Sequence, residues 1–472
     1  MLILWNKHKE NSNNGIVFAV IALAIFNFIF LGTEYLFDEM IGYATDSHGV
    51  VFAQNCILGV SALGFIGYDY ISRCLSIREK KIWLVGMLIV SELALFVVLQ
   101  HMSYQLTMLA GFFLFFVLGV LGSAVCYLMY KKTRGSRYLS GYIGFSYAIG
   151  VFLQFINNNF VVDNRIQTII IAIAGIAIGW ICVKENTKAD TDVEEQNPKN
   201  DKAPENLVIA GTSLILCVFL MTCIFSTLDN AVTMVHASGS FNIGQWPRLI
   251  LALSGLAAGL LFDLNERKYM HVFMYMITSL ATICIVILQL GGSFIIGLLV
   301  FYLAAGFFVV YFTAGFIELA RYMKRPKLWV GLGRATNNLC AFLATAISMF
   351  LLSRKSHVWI VMIAIVLFAL VNVMMWVYVR CYNQSQVALK ESLGEADEDK
   401  FDSFVQQFRL TDREAEVLKA LLESDDGAQE LAASLAMSRT ALYRHISSLN
   451  QKTNTNTRIG MIQFYFKWKS GE

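Results

Sequence analysis

The chain has 472 residues, of which 57% are apolar and only 15% charged. A soluble domain is typically about 45–50% apolar and about 25% charged, so both departures point to lipid. They exclude a disordered chain, a collagen-like chain and a secreted disulfide scaffold, and a net charge of +3 is too small to name a partner.

Twelve apolar runs reach the length of about 20 residues that a span needs. They lie near 16–37, 49–71, 82–100, 106–130, 138–156, 166–183, 207–228, 247–264, 269–290, 294–319, 328–352 and 358–380. The first is too long for a signal-peptide core and lacks a small-residue cleavage site, so it reads as a retained span. Lys and Arg crowd alternate connections: Arg73 to Lys81, Lys131 to Arg137, Lys184 to Lys202, Arg267 with Lys268, and Arg321 to Lys327. The other connections hold Arg165, Arg248, Arg354 and Lys355. The positive-inside rule therefore places both termini in the cytoplasm. The polar connection 184–206 divides the membrane part into two six-span halves, 1–183 and 207–380. The nine cysteines form no CxxC and no Cys/His zinc spacing, and most sit in apolar runs as small hydrophobes, so neither metal nor cofactor is expected.

The halves echo each other. Asp69 and Arg73 close the second run, and Asp263 and Arg267 close the eighth. An Asp four residues before an Arg at a cytoplasmic helix end can clamp two helix termini; ordinary snorkelling charge is the competing explanation. With the segment Gly259-Leu-Leu-Phe-Asp263-Leu-Asn-Glu-Arg267-Lys268, the stretch of about 15–380 resembles the major facilitator superfamily. The first half departs from that loop signature, with Phe65 at the glycine position. The resemblance implies a central cavity between the halves, lined by Asn27 and Glu34, Thr222 and Ser226, and Tyr302 and Tyr311. Independently of it, Glu92 in the third run and Arg334 in the eleventh are ionisable groups at membrane depth, which makes them candidate ligand or switch residues. The amides Gln54, Asn55, Gln154, Asn337 and Asn338 fit an inter-helix hydrogen-bond network.

After Arg380 the composition turns polar and acidic over 381–403, a solvated linker or polar helix. The block 404–472 then reads as four helices. Thr411-Asp-Arg-Glu414 is a capping box ahead of an apolar stripe at Val417, Leu418, Leu421 and Leu422. A short helix from about Ala428, a turn at Ala436-Met437 and a Ser438-capped helix to about Lys452 form a helix-turn-helix pattern. From residue 437 on, Arg and Lys outnumber acidic residues strongly, where phosphate contact would need them.

Leu410-Thr-Asp-Arg413-Glu414-Ala-Glu416-Val417-Leu418, Glu430-Leu431-Ala432, Leu435, Ser438, His445-Ile446, Leu449, Lys452 and Arg458 resemble the LuxR-type helix-turn-helix over about 60 residues. Ala441 departs from the usual Thr opening the recognition helix. The resemblance implies base contacts from Tyr443, Arg444 and Ser447 and phosphate contacts from Ser438, Thr440, Lys452 and Arg458. It also implies dimers, with Ile459, Ile462 and Phe466 as the candidate face, and a bacterial inner membrane.

The fold class expected is thus all-α: a twelve-span bundle in two halves, then a cytoplasmic four-helix DNA-binding domain. The expected function is a membrane-bound transcriptional regulator. Its partners would be double-stranded DNA, membrane lipid and an unidentified small-molecule ligand. The alternative is a secondary transporter with a regulatory tail, in which Glu92 would serve proton coupling. No nucleophile–base pair or phosphate loop suggests an enzyme.

Overall fold

The computed structural model describes residues 2–100, 103–185, 205–353, 357–424 and 426–470. Most of the central connection, with Lys188, Lys199, Lys202, Pro198 and Pro204, lies outside the described residues, as do Arg354 and Lys355. Among the described residues every regular element is helical.

Two compact units divide the chain, 1–382 and 383–472. The first contains α1 (Leu2–Ile41), α2 (Ser47–Cys74), α3 (Ile77–Leu99), α4 (Tyr104–Lys132), α5 (Leu139–Phe160) and α6 (Asn164–Glu185). After the connection come α7 (Glu205–Ala237), α8 (Pro247–Phe262), α9 (Met270–Gln289), α10 (Phe294–Leu319), α11 (Pro326–Ser353) and α12 (His357–Gln407). Local signals start several of them. Asp46 accepts a hydrogen bond from the Gly49 N–H, Ser76 and Glu79 form a capping box, and Pro247 opens α8, where a missing N–H costs nothing.

Ten of these helices are long and apolar enough to cross a membrane. The eighth and eleventh expected spans are not among them, for different reasons. α8 has 16 residues, which at 1.5 Å each is about 24 Å against a hydrocarbon core of about 30 Å. α11 has 28 residues, and no sufficiently apolar stretch of it falls wholly within the described residues.

The helices pack as two repeats. α1 lies against α5 and α4, α2 against α4, and α3 against α4. Shifting each number by six gives α7 against α11 and α10, α8 against α10, and α9 against α10, all of which also occur. The halves meet along two seams, α2–α11 and α5–α8, and the same shift turns one seam into the other. The repeats are therefore related by an approximate two-fold. α3, α9 and α12 are the least enclosed and turn Ile89, Leu93, Ile283, Ile287, Ile365 and Val366 outward, an apolar surface that suits acyl chains rather than water.

Small residues set the α5–α8 seam. A Cβ at Gly144 would lie 2.5 Å from the Gly255 carbonyl oxygen and 2.8 Å from Gly259 Cα, so the two backbones touch. Gly144→Val is expected to cost about 1–3 kcal/mol through overpacking. It should lower the thermal unfolding midpoint of the detergent-solubilised protein. Gly86→Val on α3, where nothing lies within 4 Å of the added carbon, should leave the midpoint unchanged or raise it.

The second unit begins within α12, so the stretch 381–403 is helical rather than an extended linker. α13 (Asp412–Glu423), α14 (Ala428–Ser434), α15 (Arg439–Lys452) and α16 (Arg458–Ser470) follow. Their core joins Phe404 and Leu410 to Val417, Leu421, Leu431, Leu442, Ile446, Leu449, Met461 and Tyr465. The end of α12 belongs to this core. Phe404 packs on Tyr465 and Trp468 at ring distances of 5.0 and 5.1 Å, and Phe408 packs on Phe464 at 5.4 Å.

Candidate functional site

In the first unit the seams converge on a small cavity of about 20 Å³, room for about one water. Asn27 and Phe26 of α1, Tyr147 of α5, Thr313 of α10 and Arg334 of α11 line it. The Arg334 guanidinium sits between two aromatic faces, 5.1 Å from the Phe30 centroid and 5.5 Å from that of Phe312. Among the described residues no carboxylate lies within ion-pairing distance of it. Cation–π contacts thus carry part of a cost that an ion pair would otherwise offset.

Of the expected ligand residues, Asn27 and Arg334 share this cavity. Glu34 is in electrostatic contact with Arg334 and Arg248 and accepts a hydrogen bond from Gln54 Nε2 at 2.8 Å. Glu92 is elsewhere. It lines a separate cavity inside the first half with Thr33, Ser91 and Gly175, and its Oε2 and the Thr33 hydroxyl are buried without hydrogen-bond partners. Thr222 donates to Asn337 Oδ1 at 3.1 Å, and Tyr311 pairs with His271 Nδ1 at 3.1 Å. Neither Thr222 nor Tyr311 lines the central cavity, and nor do Ser226 and Tyr302. The amides do form a network. Asn338 Nδ2 donates to Ser61 Oγ at 2.8 Å across the α2–α11 seam, while Asn55 Nδ2 donates to Asn230 Oδ1 at 3.2 Å. Asn230 in turn donates to Ser348 at 2.8 Å.

The two Asp–Arg pairs behave differently. Asp69 and Arg73 form an ion pair at 2.7 Å on their own helix. Asp263 reaches across the halves: its carboxylate accepts from the Ser140 and Gly141 N–H groups, at 3.0 and 2.6 Å, at the start of α5. A carboxylate suits that place, because those N–H groups lack intrahelical partners and the helix dipole is positive there. Arg267 forms a fork on Glu318 of α10, at 2.8 and 3.2 Å, and donates to the Arg137 carbonyl at 3.0 Å. The turn that aims it holds Asn265, Glu266 and Arg267 at φ of 50, 56 and 68°. Three successive non-glycine residues in the left-handed region are costly and are held there by these contacts. Glu318 was not singled out from the sequence, because its partner lies 51 residues away.

In the second unit α14 and α15 are joined by residues 435–438, with Ala436 left-handed at φ 51°. Ser438 caps α15, its hydroxyl accepting from the Ala441 N–H at 3.2 Å. α15 is two-faced. Leu442, Ile446 and Leu449 enter the core, while Arg439, Thr440, Tyr443, Arg444 and Ser447 are exposed along the other side. All three expected base-contact residues lie on that exposed face.

The expected phosphate contacts divide. Thr440 is exposed and Ser438 is the cap. Lys452 is already engaged: its ammonium pairs with Glu414 at 2.5 Å and donates to the Arg409 carbonyl at 2.8 Å. Arg458 donates to the carbonyls of Asp426 and Ser424 at 3.0 and 3.2 Å, tying down the turn before α14. Through these contacts the two cations help to hold the fold. Glu414 is buried and also accepts from Ser448 at 2.5 Å and the Thr411 N–H at 2.7 Å. Burial acts to raise its pKa, but the bonds from Lys452, Ser448 and Thr411 outweigh it and hold the carboxyl at about 2. On α16, Ile459 and Phe466 are exposed, while Met461 and Tyr465 face the core.

No protein-family profile matches the chain. No curated protein matches it in sequence. Among solved structures, a crystal structure of a mutant form of the nucleoside transporter NupG is similar at a TM-score of 0.46 and 11% identity, covering 78% of this chain and all of that one.

Proposed function

We propose that this protein is a membrane-bound transcriptional regulator: a transporter-like helix bundle that senses a small molecule, carrying a LuxR-type helix-turn-helix that binds duplex DNA. The observation that carries this reading is the exposed face of α15. A helix anchored through Leu442, Ile446 and Leu449 presents Arg439, Thr440, Tyr443, Arg444 and Ser447 together, behind a short helix and a tight turn. That is the side-chain chemistry and geometry that reads base edges in a major groove. All twelve helices of the first unit are taken to cross a bacterial inner membrane, with both termini in the cytoplasm. Ile459 and Phe466 would supply the dimer face.

The test is a mobility-shift assay on residues 390–472, which include the full core of the second unit. Binding to genomic fragments should weaken steeply as salt rises. Absence of binding at low salt, from a dimerised fragment, would sink the proposal.

The membrane unit taken by itself favours the second reading, a secondary transporter with a regulatory tail. Two pseudo-symmetric repeats with Asn27 and Arg334 at their junction are arranged as alternating access requires. Proteoliposomes separate the two readings. Solute uptake that follows an imposed proton gradient and is lost in Glu92→Gln supports transport, whereas specific DNA binding without uptake supports sensing.

A further inference from the structure

Cys223 of α7 and Cys340 of α11 stand with their sulfurs 3.4 Å apart. They come from sequence positions 117 residues apart and meet because α7 and α11 are packed neighbours. One residue before Cys223, Thr222 bonds Asn337 of the same α11 face, so the register of the two helices is fixed where the thiols meet. The Cys340 thiol is buried and donates to the Phe219 carbonyl at 3.1 Å. Cys223 lines a crevice of about 20 Å³ with Thr227, Ile285, Ser348, Ile360 and Ala364. One thiol therefore faces a space and the other sits directly behind it.

We propose that Cys223 and Cys340 are a redox-modification site, oxidised to a disulfide by small neutral peroxides that reach it through the bilayer. The geometry needs little change. A disulfide has sulfurs about 2.05 Å apart, so the two sulfurs must close by about 1.3 Å. The crevice favours a small oxidant: at about 20 Å³ it is far closer to the size of hydrogen peroxide than to that of a quinone ring. Cys223 sulfur attacks one peroxide oxygen, the O–O bond breaks, and a sulfenic acid forms as one water leaves. Cys340 sulfur then displaces the sulfenic oxygen as a second water. Two S–H bonds and one O–O bond are lost, one S–S bond forms, and the two thiol hydrogens end in water. The peroxide takes the two electrons. The product ties α7 to α11 six residues from Arg334, which fastens the helix carrying that cation to its neighbour within the second half.

The test uses the full-length protein in membrane vesicles treated with hydrogen peroxide, then unfolded and labelled with a mass-tagged maleimide. The nine free cysteines should accept nine tags before oxidation and seven after it, and peptide mapping should join Cys223 to Cys340. Cys340→Ser should leave a sulfenic acid on Cys223 that dimedone traps, and Cys223→Ser should lose no pair of tags. A soluble benzoquinone at equal concentration should react at least tenfold more slowly. Retention of all nine tags in the wild type, or a cross-link joining other cysteines, overturns the proposal without recourse to any variant. Equal rates with the quinone overturn the size argument.

Discussion

Replacing Arg444 by alanine should, on the proposed DNA-binding reading, lower the affinity of fragment 390–472 for specific sites by about five- to 150-fold, the span that about 1–3 kcal/mol of bidentate base contact gives. Random DNA should be bound only slightly more weakly. The side chain is exposed on α15, while Leu442 and Ile446 on the opposite face carry the packing, so the unfolding midpoint should not move. That separation makes the variant informative: a loss of binding cannot be blamed on a lost fold. The salt dependence adds a second reading. A base contact leaves the slope of affinity against salt nearly intact, whereas Arg439→Ala, if its guanidinium meets phosphate, should reduce the slope by about one. Equal losses on specific and random DNA for Arg444→Ala would remove it from the base-reading role.

Much of the helical architecture was legible because the length of an apolar run is a local property. The runs near 16–37 and 49–71 became α1 and α2, and within the described residues ten of the twelve runs became helices long and apolar enough to cross a membrane. The capping boxes at Ser76 and Thr411 are equally local, although only the second was read from the sequence. What escaped depends on pairs far apart in the chain. Asp263 was read as a clamp, but its partners, the N–H groups of Ser140 and Gly141, lie more than 120 residues away, and no periodicity points to them. The same reason hid the Phe30 and Phe312 faces around Arg334. Lys452 shows a different limit of sequence reading. A cation at the end of a basic helix has the composition of a phosphate contact, and only the fold reveals Glu414 beneath it. The tail core also begins earlier than the boundary at 404, because Phe401 lies in a stretch whose acidic neighbours mask its apolar spacing.

The Glu414–Lys452 pair should set the acid limit of the second unit. Glu414 joins α13 to α15: one carboxylate takes up the Lys452 ammonium, the Ser448 hydroxyl and the N–H of its own cap. Its folded pKa of about 2 lies below the ordinary glutamate value of about 4.3. A depressed carboxyl stabilises the fold fully above the unfolded value, and the contribution fades as pH falls through the folded one. A gap of about two units corresponds to at most about 3 kcal/mol. Urea unfolding of fragment 390–472 should therefore give a flat midpoint from about pH 7 to 5 and a steady fall from about pH 4.5 to 2. Glu414→Gln should cost about 2–3 kcal/mol at pH 7, since it leaves Lys452 facing a neutral amide, and should flatten the acid limb. Lys452→Met should cost a similar amount, and the double variant less than the sum, because each single change already breaks the same pair. Additive losses, or an acid limb unchanged in Glu414→Gln, would show that other carboxylates govern the acid response and that Lys452 is free to meet phosphate after all.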